Sequence, residues 1–315
     1  MYFRVIFVTK SMTEGKPLKL ILQFAVPLLF GNLLQQMYNL VDAAIVGRVL
    51  GTGALAAVGA TSSVQFLVLG FCIGICIGFG IPIAKSFGAE RLDKMRSYIF
   101  NSVLLTALFA VLITAVCSLC CTLILQMLSV PQDVFDDAYA YLIVIFLGIP
   151  FTLLYNLLSS ILRSVGDSRT PFLFLAISTV LNIGLDLLCI IVFKWGVAGA
   201  AIATIIGQFV ACAYVILVFI VKKQDVSINL AKMKLKWNTV WNIFRIGLPT
   251  FILNALGSFT TIILNSILKA YPNGIRVLTI YFSTQSFVFM PVFGLMQGTL
   301  PILSYNLGAN DRARY

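Results

Sequence analysis

An all-α, polytopic membrane protein is the fold class this chain predicts, and three observations carry it. Of its 315 residues, 60% are hydrophobic and 10% are charged, with a mean hydropathy of +1.01, outside the range of soluble domains. Eight apolar segments run approximately over 18–47, 54–83, 98–128, 136–162, 171–193, 196–221, 240–268 and 277–303. Each has about 20 residues or more, enough for a helix to cross about 30 Å of hydrocarbon. The charges also sort by loop. Eighteen of the 22 Lys and Arg lie before segment 1, in or beside the loops after segments 2, 4 and 6, or in the tail, whereas Arg48, Lys194, Lys269 and Arg276 occupy the alternate loops. That asymmetry places the N-terminus and the longest loop in the cytoplasm of a multi-pass cell-membrane protein.

In chain order, segment 1 (18–47) lies between Lys16/Lys19 and Arg48 and carries Pro27 and Asp42. Segment 2 (54–83) repeats glycine at Gly70, Gly74 and Gly78, a small-residue spacing that suits close helix packing. It ends at Pro82, before the basic loop with Lys85, Arg91, Lys94 and Arg96. Segment 3 (98–128) holds Cys117, Cys120 and Cys121, and segment 4 (136–162) carries Pro150 and runs up to Arg163. Segment 5 (171–193) lies between Arg169 and Lys194 and contains Asp186; segment 6 (196–221) opens on a flat face, Gly196-Val197-Ala198-Gly199-Ala200-Ala201. Segments 7 and 8 carry Pro249, and Pro291 with Pro301. Prolines remove a backbone hydrogen bond and kink helices, and Pro27, on the helix of Asp42, is the best hinge candidate.

Composition excludes several functions. No histidine is present, so neither a Ser-His-Asp triad nor an HExxH zinc site can be built. No Walker A motif occurs, so pumping would draw on an ion gradient, and we expect a non-enzyme without an organic cofactor. All seven cysteines lie within apolar segments, where a thiol acts as a small hydrophobe, and Cys117-x-x-Cys120 has no second pair to make a metal site. The net charge of +11 is accounted for by a basic surface facing anionic lipid, with no nucleic-acid partner. Met1–Lys10 is too short for a signal-peptide core, and Met12 is an alternative start.

An internal repeat is legible. Pro27 in Ala25-Val26-Pro27-Leu28 matches Pro249 in Gly247-Leu248-Pro249-Thr250, an offset of 222; Pro82, followed by Phe87-Gly88-Ala89, matches Pro301, followed by Leu307-Gly308-Ala309, an offset of 219. Six segments separate the copies, so both have the same orientation, a parallel repeat about the membrane normal. The first copy spans residues 1–222, a linker covers 223–238, and 239–315 begins the second copy. By that arithmetic roughly 130 to 140 further residues complete a twelve-helix protein; a natural eight-helix protein is the alternative.

Two acids interrupt the apolar segments. Asp42 precedes Arg48 by six residues and Asp186 precedes Lys194 by eight, which puts them about 9 and 12 Å below the outer surface at 1.5 Å per residue. A carboxylate in the bilayer costs a few kcal/mol and is seldom kept without a partner or a task. Gln35, Tyr38, Asn39 and Asp42 share one face of segment 1, and Asn182 and Asp186 share a face of segment 5, so each carboxylate is expected to find hydrogen-bond partners on its own helix. Two carboxylates in a low-dielectric site cannot both ionise cheaply, so the pair is expected to take up a proton or to hold a cation such as Na⁺. The bland reading is that each acid is a satisfied packing residue.

Several patches together resemble the multidrug and toxic compound extrusion (MATE) transporters: Pro27 with Gln35-Gln36-Met37-Tyr38-Asn39-Leu40-Val41-Asp42, Gly47-Arg48-Val49-Leu50-Gly51, Ala54-Leu55-Ala56-Ala57-Val58-Gly59, Leu162-Arg163-Ser164-Val165-Gly166-Asp167-Ser168-Arg169-Thr170-Pro171, and Trp195 through Thr204. The resemblance implies a MATE-like six-helix bundle plus two helices of the second repeat, around a cavity that opens alternately to either side. It implies exchange of H⁺ or Na⁺ for small organic, often cationic, compounds, in a protein that works as a monomer once complete. By matching position it implies a cation network of Asp42, Asn182 and Asp186 with Thr204, Tyr141 and Asn156, and a cavity or hinge role for Pro27, Gln35, Tyr38 and Asn39. Residues 247–308 contain no acid, which favours a site in the first copy. The alternative on the same architecture is a lipid-linked oligosaccharide flippase, which would want cationic residues in its cavity to bind pyrophosphate; the segments here hold almost none. A channel or receptor would need a filter loop or an outer domain, and neither is visible.

Overall fold

The computed structural model describes residues 12–128, 130–221, 235–268, 271 and 274–314. The expected linker lies largely outside the described residues, as do Met1, Arg4, Lys10, Lys222, Lys223, Lys232, Lys234 and Lys269. Within them the chain is helical, with no strand: α1 (Pro17–Val49), α2 (Thr52–Gly88), α3 (Leu92–Leu119), α4 (Cys121–Met127), α5 (Phe135–Leu147), α6 (Ile149–Ser164), α7 (Arg169–Leu187), α8 (Gly196–Val221), α9 (Trp237–Leu268) and α10 (Gly274–Gly308). Five described helical stretches are long and apolar enough to cross a membrane, and the bent pair α5–α6 makes a sixth. Helices α9 and α10, of 32 and 35 residues, lie at predicted segments 7 and 8. The chain is thus built as a multi-pass membrane protein.

The sequence marks most helix ends. Pro17 starts α1, where its missing N–H costs nothing. Asp167 accepts the backbone N–H groups of Arg169 (3.1 Å) and Thr170 (3.0 Å), satisfying two orphan donors at the start of α7. Helix α2 closes through Glu90 at φ 57°, with the Arg91 N–H bonded to the Ser86 carbonyl at 3.0 Å. Helix α10 closes the same way, through Asn310 at φ 58° with the Asp311 N–H bonded to the Asn306 carbonyl at 3.1 Å. Both are αL caps of the Schellman type.

Three segments depart from the single helical spans expected. Segment 4 is broken at Gly148 into α5 and α6, which meet at a 43° bend. Pro150 lies in the first turn of α6, so it cannot donate back across the junction, and an unbroken helix there would lose a bond. Segment 3 starts earlier, at Leu92, and breaks at Cys120 before the short α4. Segment 5 stops being α-helical after Leu187 and continues as a five-residue π-helix, Leu188–Val192. Pro27, in contrast, lies inside an unbroken α1.

The main interior is built where α2, α3, α5 and α6 converge, on Phe79 and Ile83, Met95 and Ile99, Leu142 and Phe146, and Leu153 and Leu157. The outward faces are equally apolar, as at Leu108, Val111, Leu112 and Leu119 of α3, so close packing rather than water exclusion selects the inward residues. Close packing is most evident at the seam where α2 lies along α9 and α1 along α10. A Cβ added to Gly78 would fall 2.5 Å from Gly247 Cα, and one on Gly298 would fall 3.0 Å from Ala25 Cα. Near the helix ends, a Cβ on Gly88 would run into the Tyr305 carbonyl and one on Gly308 into the Lys85 carbonyl. Gly78 and Gly298, Gly88 and Gly308, and Lys85 and Tyr305 are each 220 residues apart, so the contacts are reciprocal. Beside them, Met12 is buried against Phe24, Leu28 and Ile302, with its carbonyl accepting from Asn306 Nδ2 at 3.2 Å.

Candidate cation site

Five helices bring polar side chains together away from that seam. Helix α1 supplies Tyr38 and Asp42, α7 supplies Asn182 and Asp186, α8 Thr204, α5 Tyr141 and α2 Gln65. The approach of α7 to α8 depends on Gly207, where an added Cβ would sit 3.4 Å from Asn182 Cβ and where Ser178 Oγ donates to the Gly207 carbonyl at 3.0 Å. One turn on from Asn182 along α7 is Asp186, and one turn back from Gly207 along α8 is Thr204; both lie near Tyr38. An apolar lid of Val46, Ala54, Ile190, Val197, Ala200 and Ala201 packs around Tyr141.

The two carboxylates are deeply placed, Asp42 at 8% exposure and Asp186 at 0%, and close enough to interact electrostatically with each other and with Tyr38 and Tyr141. The Tyr38 hydroxyl lies 2.8 Å from Thr204 Oγ1, which donates to the Ala200 carbonyl at 3.1 Å. A threonine has one hydroxyl proton, so with that proton committed to Ala200, Tyr38 is the donor to Thr204. Gln65 lies against the Tyr141 hydroxyl.

The expectation that each carboxylate finds partners on its own helix is not met. Asp42 Oδ1, Asn182 Oδ1 and both carboxylate oxygens of Asp186 are buried without a hydrogen-bond partner. Tyr38 reaches across to α8 instead of along α1 to Asp42, and Gln35 and Asn39 lie on the exposed side, where Asn39 pairs with Gln36 at 3.5 Å. The four polar residues of α1 span about 100° of helix arc, and the edge of the packed interior falls inside that arc. Asn156 also lies apart: its Nδ2 donates to the Thr152 carbonyl at 2.8 Å, and the Thr152 hydroxyl bonds Gln208 of α8. No hydrogen bond joins Asn156 to the carboxylates among the described residues. Pro27 lies fifteen residues before Asp42 on α1, two residues from the Ala25–Gly298 contact.

Four buried oxygens on three side chains, two of them carboxylates, are hard ligands without a partner. Such a set suits a hard cation or a shared proton, not a soft metal; among the described residues no three His, Cys, Asp or Glu cluster in the way a metal centre needs. The π-helical turn begins two residues after Asp186. An extra residue per turn of this kind is common beside functional sites, and here it turns Cys189 and Ile190 inward. Sequence reasoning missed that turn, together with Gln65 and Gln208; the spacing of Thr204 and Gln208, one turn apart on segment 6, is the signal that could have found the latter.

Comparison with known proteins gives consistent likenesses. The MatE family profile matches residues 27–188. The probable multidrug resistance protein YpnP of Bacillus subtilis is 34% identical over 237 residues, covering 75% of this chain and 53% of that protein. The multidrug export protein MepA of Staphylococcus aureus is 28% identical over 296 residues, covering 93% of this chain and 65% of that protein. The structure of a MOP superfamily transporter from Pyrococcus furiosus superposes with a TM-score of 0.90 at 25% identity, over 96% of this chain and 68% of that one. The chain spans about half to two thirds of the length of these curated relatives.

Proposed function

The chain belongs to the MatE family, and from that premise we propose that the full-length protein exports small organic, often cationic, compounds by alternating access, driven by H⁺ or Na⁺ at Asp42 and Asp186. The observation that carries this reading is the set of four unpartnered buried oxygens on Asp42, Asn182 and Asp186. Unpaired carboxylates in a water-poor interior are costly, and a cation or proton bound between α1 and α7 removes that cost. Binding therefore favours the arrangement in which the two helices hold the oxygens together, and the ion's gradient biases the conformational equilibrium. Thr204 and Tyr141 border the site, and the Tyr38–Thr204 bond fixes the wall between α1 and α8. Gln35 and Asn39, on the open side of α1, are suited to meet substrate.

Residues 1–222 make one lobe, 223–238 the linker and 239–315 the start of the second lobe; the reciprocal contacts along the seam support this division. The end of the bundle with Lys85, Arg91, Arg163 and Arg169 faces the cytoplasm of the plasma membrane by the positive-inside rule. On that orientation the closed glycine seam shuts the cytoplasmic side. The printed descriptions of the relatives, multidrug resistance and multidrug export, agree with an exported organic substrate.

The test is gradient-driven efflux of a fluorescent organic cation by the full-length protein in proteoliposomes, with either an H⁺ or an Na⁺ gradient imposed. Asp42→Asn and Asp186→Asn are each expected to abolish driven export while the protein remains folded in the membrane. The double variant should be no worse than either single one, because residues acting as one unit are not additive. Export at the parent rate by both single variants would remove the carboxylate pair from the mechanism.

A further inference from the structure

A second polar site lies outside the carboxylate pair, at the basic end of the bundle. There α2, α6 and α10 enclose a cleft lined by Gly80, Ser160, Arg163, Ser164, Gln297 and Ser304. Arg163, in the last turn of α6, is partly buried, and among the described residues it makes no hydrogen bond and no ion pair. The nearest acid in sequence, Asp167, is committed to the N-terminus of α7 through Arg169 and Thr170, and α10 contains no acid. A guanidinium has five donors and cannot shed its charge, and Arg163, half-buried at the cleft, keeps accessible donors for an acceptor that enters it.

The other walls are complementary in a specific sense. Ser164 Oγ gives its proton to the Gly80 and Ser160 carbonyls at 2.9 and 2.8 Å, and Ser304 Oγ gives its proton to the Leu300 carbonyl at 2.8 Å. Both hydroxyls therefore present lone pairs. Pro301 has no N–H to return to the Gln297 carbonyl one turn before it, which leaves a further acceptor. The cleft thus offers charged donors from Arg163 and acceptors from the serines and Gln297.

We propose that this cleft binds an oxyanion of the phosphate class, whose charged oxygens pair with Arg163 in the bidentate manner guanidinium favours and whose hydroxyl protons are accepted by the surrounding oxygens. Hydrogenphosphate in solution has this chemistry, and so does the headgroup of phosphatidylglycerol, a phosphate next to free hydroxyls. Because α2 and α6 supply one wall and α10 the other, the site is whole only while the seam is closed. A bound oxyanion therefore stabilises that state.

The experiment is thermal unfolding of the full-length protein in neutral detergent, with inorganic phosphate titrated against chloride at equal ionic strength. Phosphate is expected to raise the midpoint more than chloride does. Arg163→Gln should weaken this response about ten- to hundredfold, the range for hydrogen bonds to a charged group, and Arg163→Lys should keep part of it. Ser160→Asp, one turn from Arg163, supplies an internal carboxylate and should also abolish the response, which covers the case in which Arg163→Gln does not fold. The measurement imposes no H⁺ or Na⁺ gradient and reads no transport, so failure here is distinguishable from failure of the carboxylate mechanism. In nanodiscs without added phosphate, phosphatidylglycerol raising the midpoint over phosphatidylcholine in an Arg163-dependent way identifies lipid as the source; a response to phosphate alone identifies the soluble ion. The proposal is overturned if phosphate and chloride act alike on the parent in detergent and the two lipids act alike, or if Arg163→Gln and Ser160→Asp both respond as the parent does.

Discussion

Alanine at Gly88 should force the seam open at the basic end. The added Cβ would lie 2.7 Å from the Tyr305 carbonyl carbon and 3.0 Å from its Cα. These neighbours are backbone, so no rotamer change relieves the overlap, and α2 and α10 must part by roughly 1 Å to restore van der Waals contact. Overpacking of this kind costs about 1–3 kcal/mol. The cost falls only on the state in which the seam is closed, so the equilibrium should move toward the open state by about 5- to 150-fold. Gly308→Ala makes the reciprocal clash with the Lys85 backbone and should act alike. The assay is electron-spin distance measurement in the full-length protein between labels at positions 93 and 313, both exposed beside the seam. Longer distances are expected for both variants, and none for Gly59→Ala, where an added Cβ meets nothing within 4 Å. An unchanged distance distribution for Gly88→Ala and Gly308→Ala would refute the argument that backbone contact at these glycines holds the seam.

Two smaller perturbations test other joints. Thr204→Val removes the acceptor of the Tyr38 hydroxyl and should lower stability by about 1 kcal/mol, read as a lower unfolding midpoint that Thr204→Ser restores. Asn101→Ala removes the side chain whose Oδ1 accepts the Lys236 N–H at 3.2 Å just before α9; loss of such a cap costs about 0.5–2 kcal/mol, and amide hydrogen exchange over the first turn of α9 should speed up accordingly.

The eight apolar segments and the sites of the two acids were legible from composition and hydropathy because a helix in hydrocarbon must satisfy its own backbone and so needs a run of apolar residues of fixed length. The break at Gly148 was half legible: Pro150 marked a kink, but the separation into two helices depends on how α8 packs there, with Ile205 Cγ1 2.5 Å from where a Gly148 Cβ would be. The π-helical turn after Asp186 left no mark in Leu188–Val192, since apolar residues fit an α- or π-turn equally well.

At the site, helical spacing grouped Tyr38 with Asp42 and Asn182 with Asp186, because residues four apart share a face. It also grouped Gln35 and Asn39 with them, and there it failed, because the boundary between interior and exterior is drawn by neighbouring helices and not by α1. The sequence by itself determined where the eight apolar segments run and that two carboxylates lie within them, for these follow from local preference and the need to bury or solvate each residue. Only the tertiary structure decided that Asp42, Asn182 and Asp186 keep buried oxygens without partners, that Asn156 turns to Thr152, and that Arg163 lines a cleft with no acid among its lining residues. Those outcomes depend on which helix lies beside which, at separations set by glycines such as Gly78, Gly207 and Gly247, and contacts between residues distant in sequence have no local periodicity to reveal them.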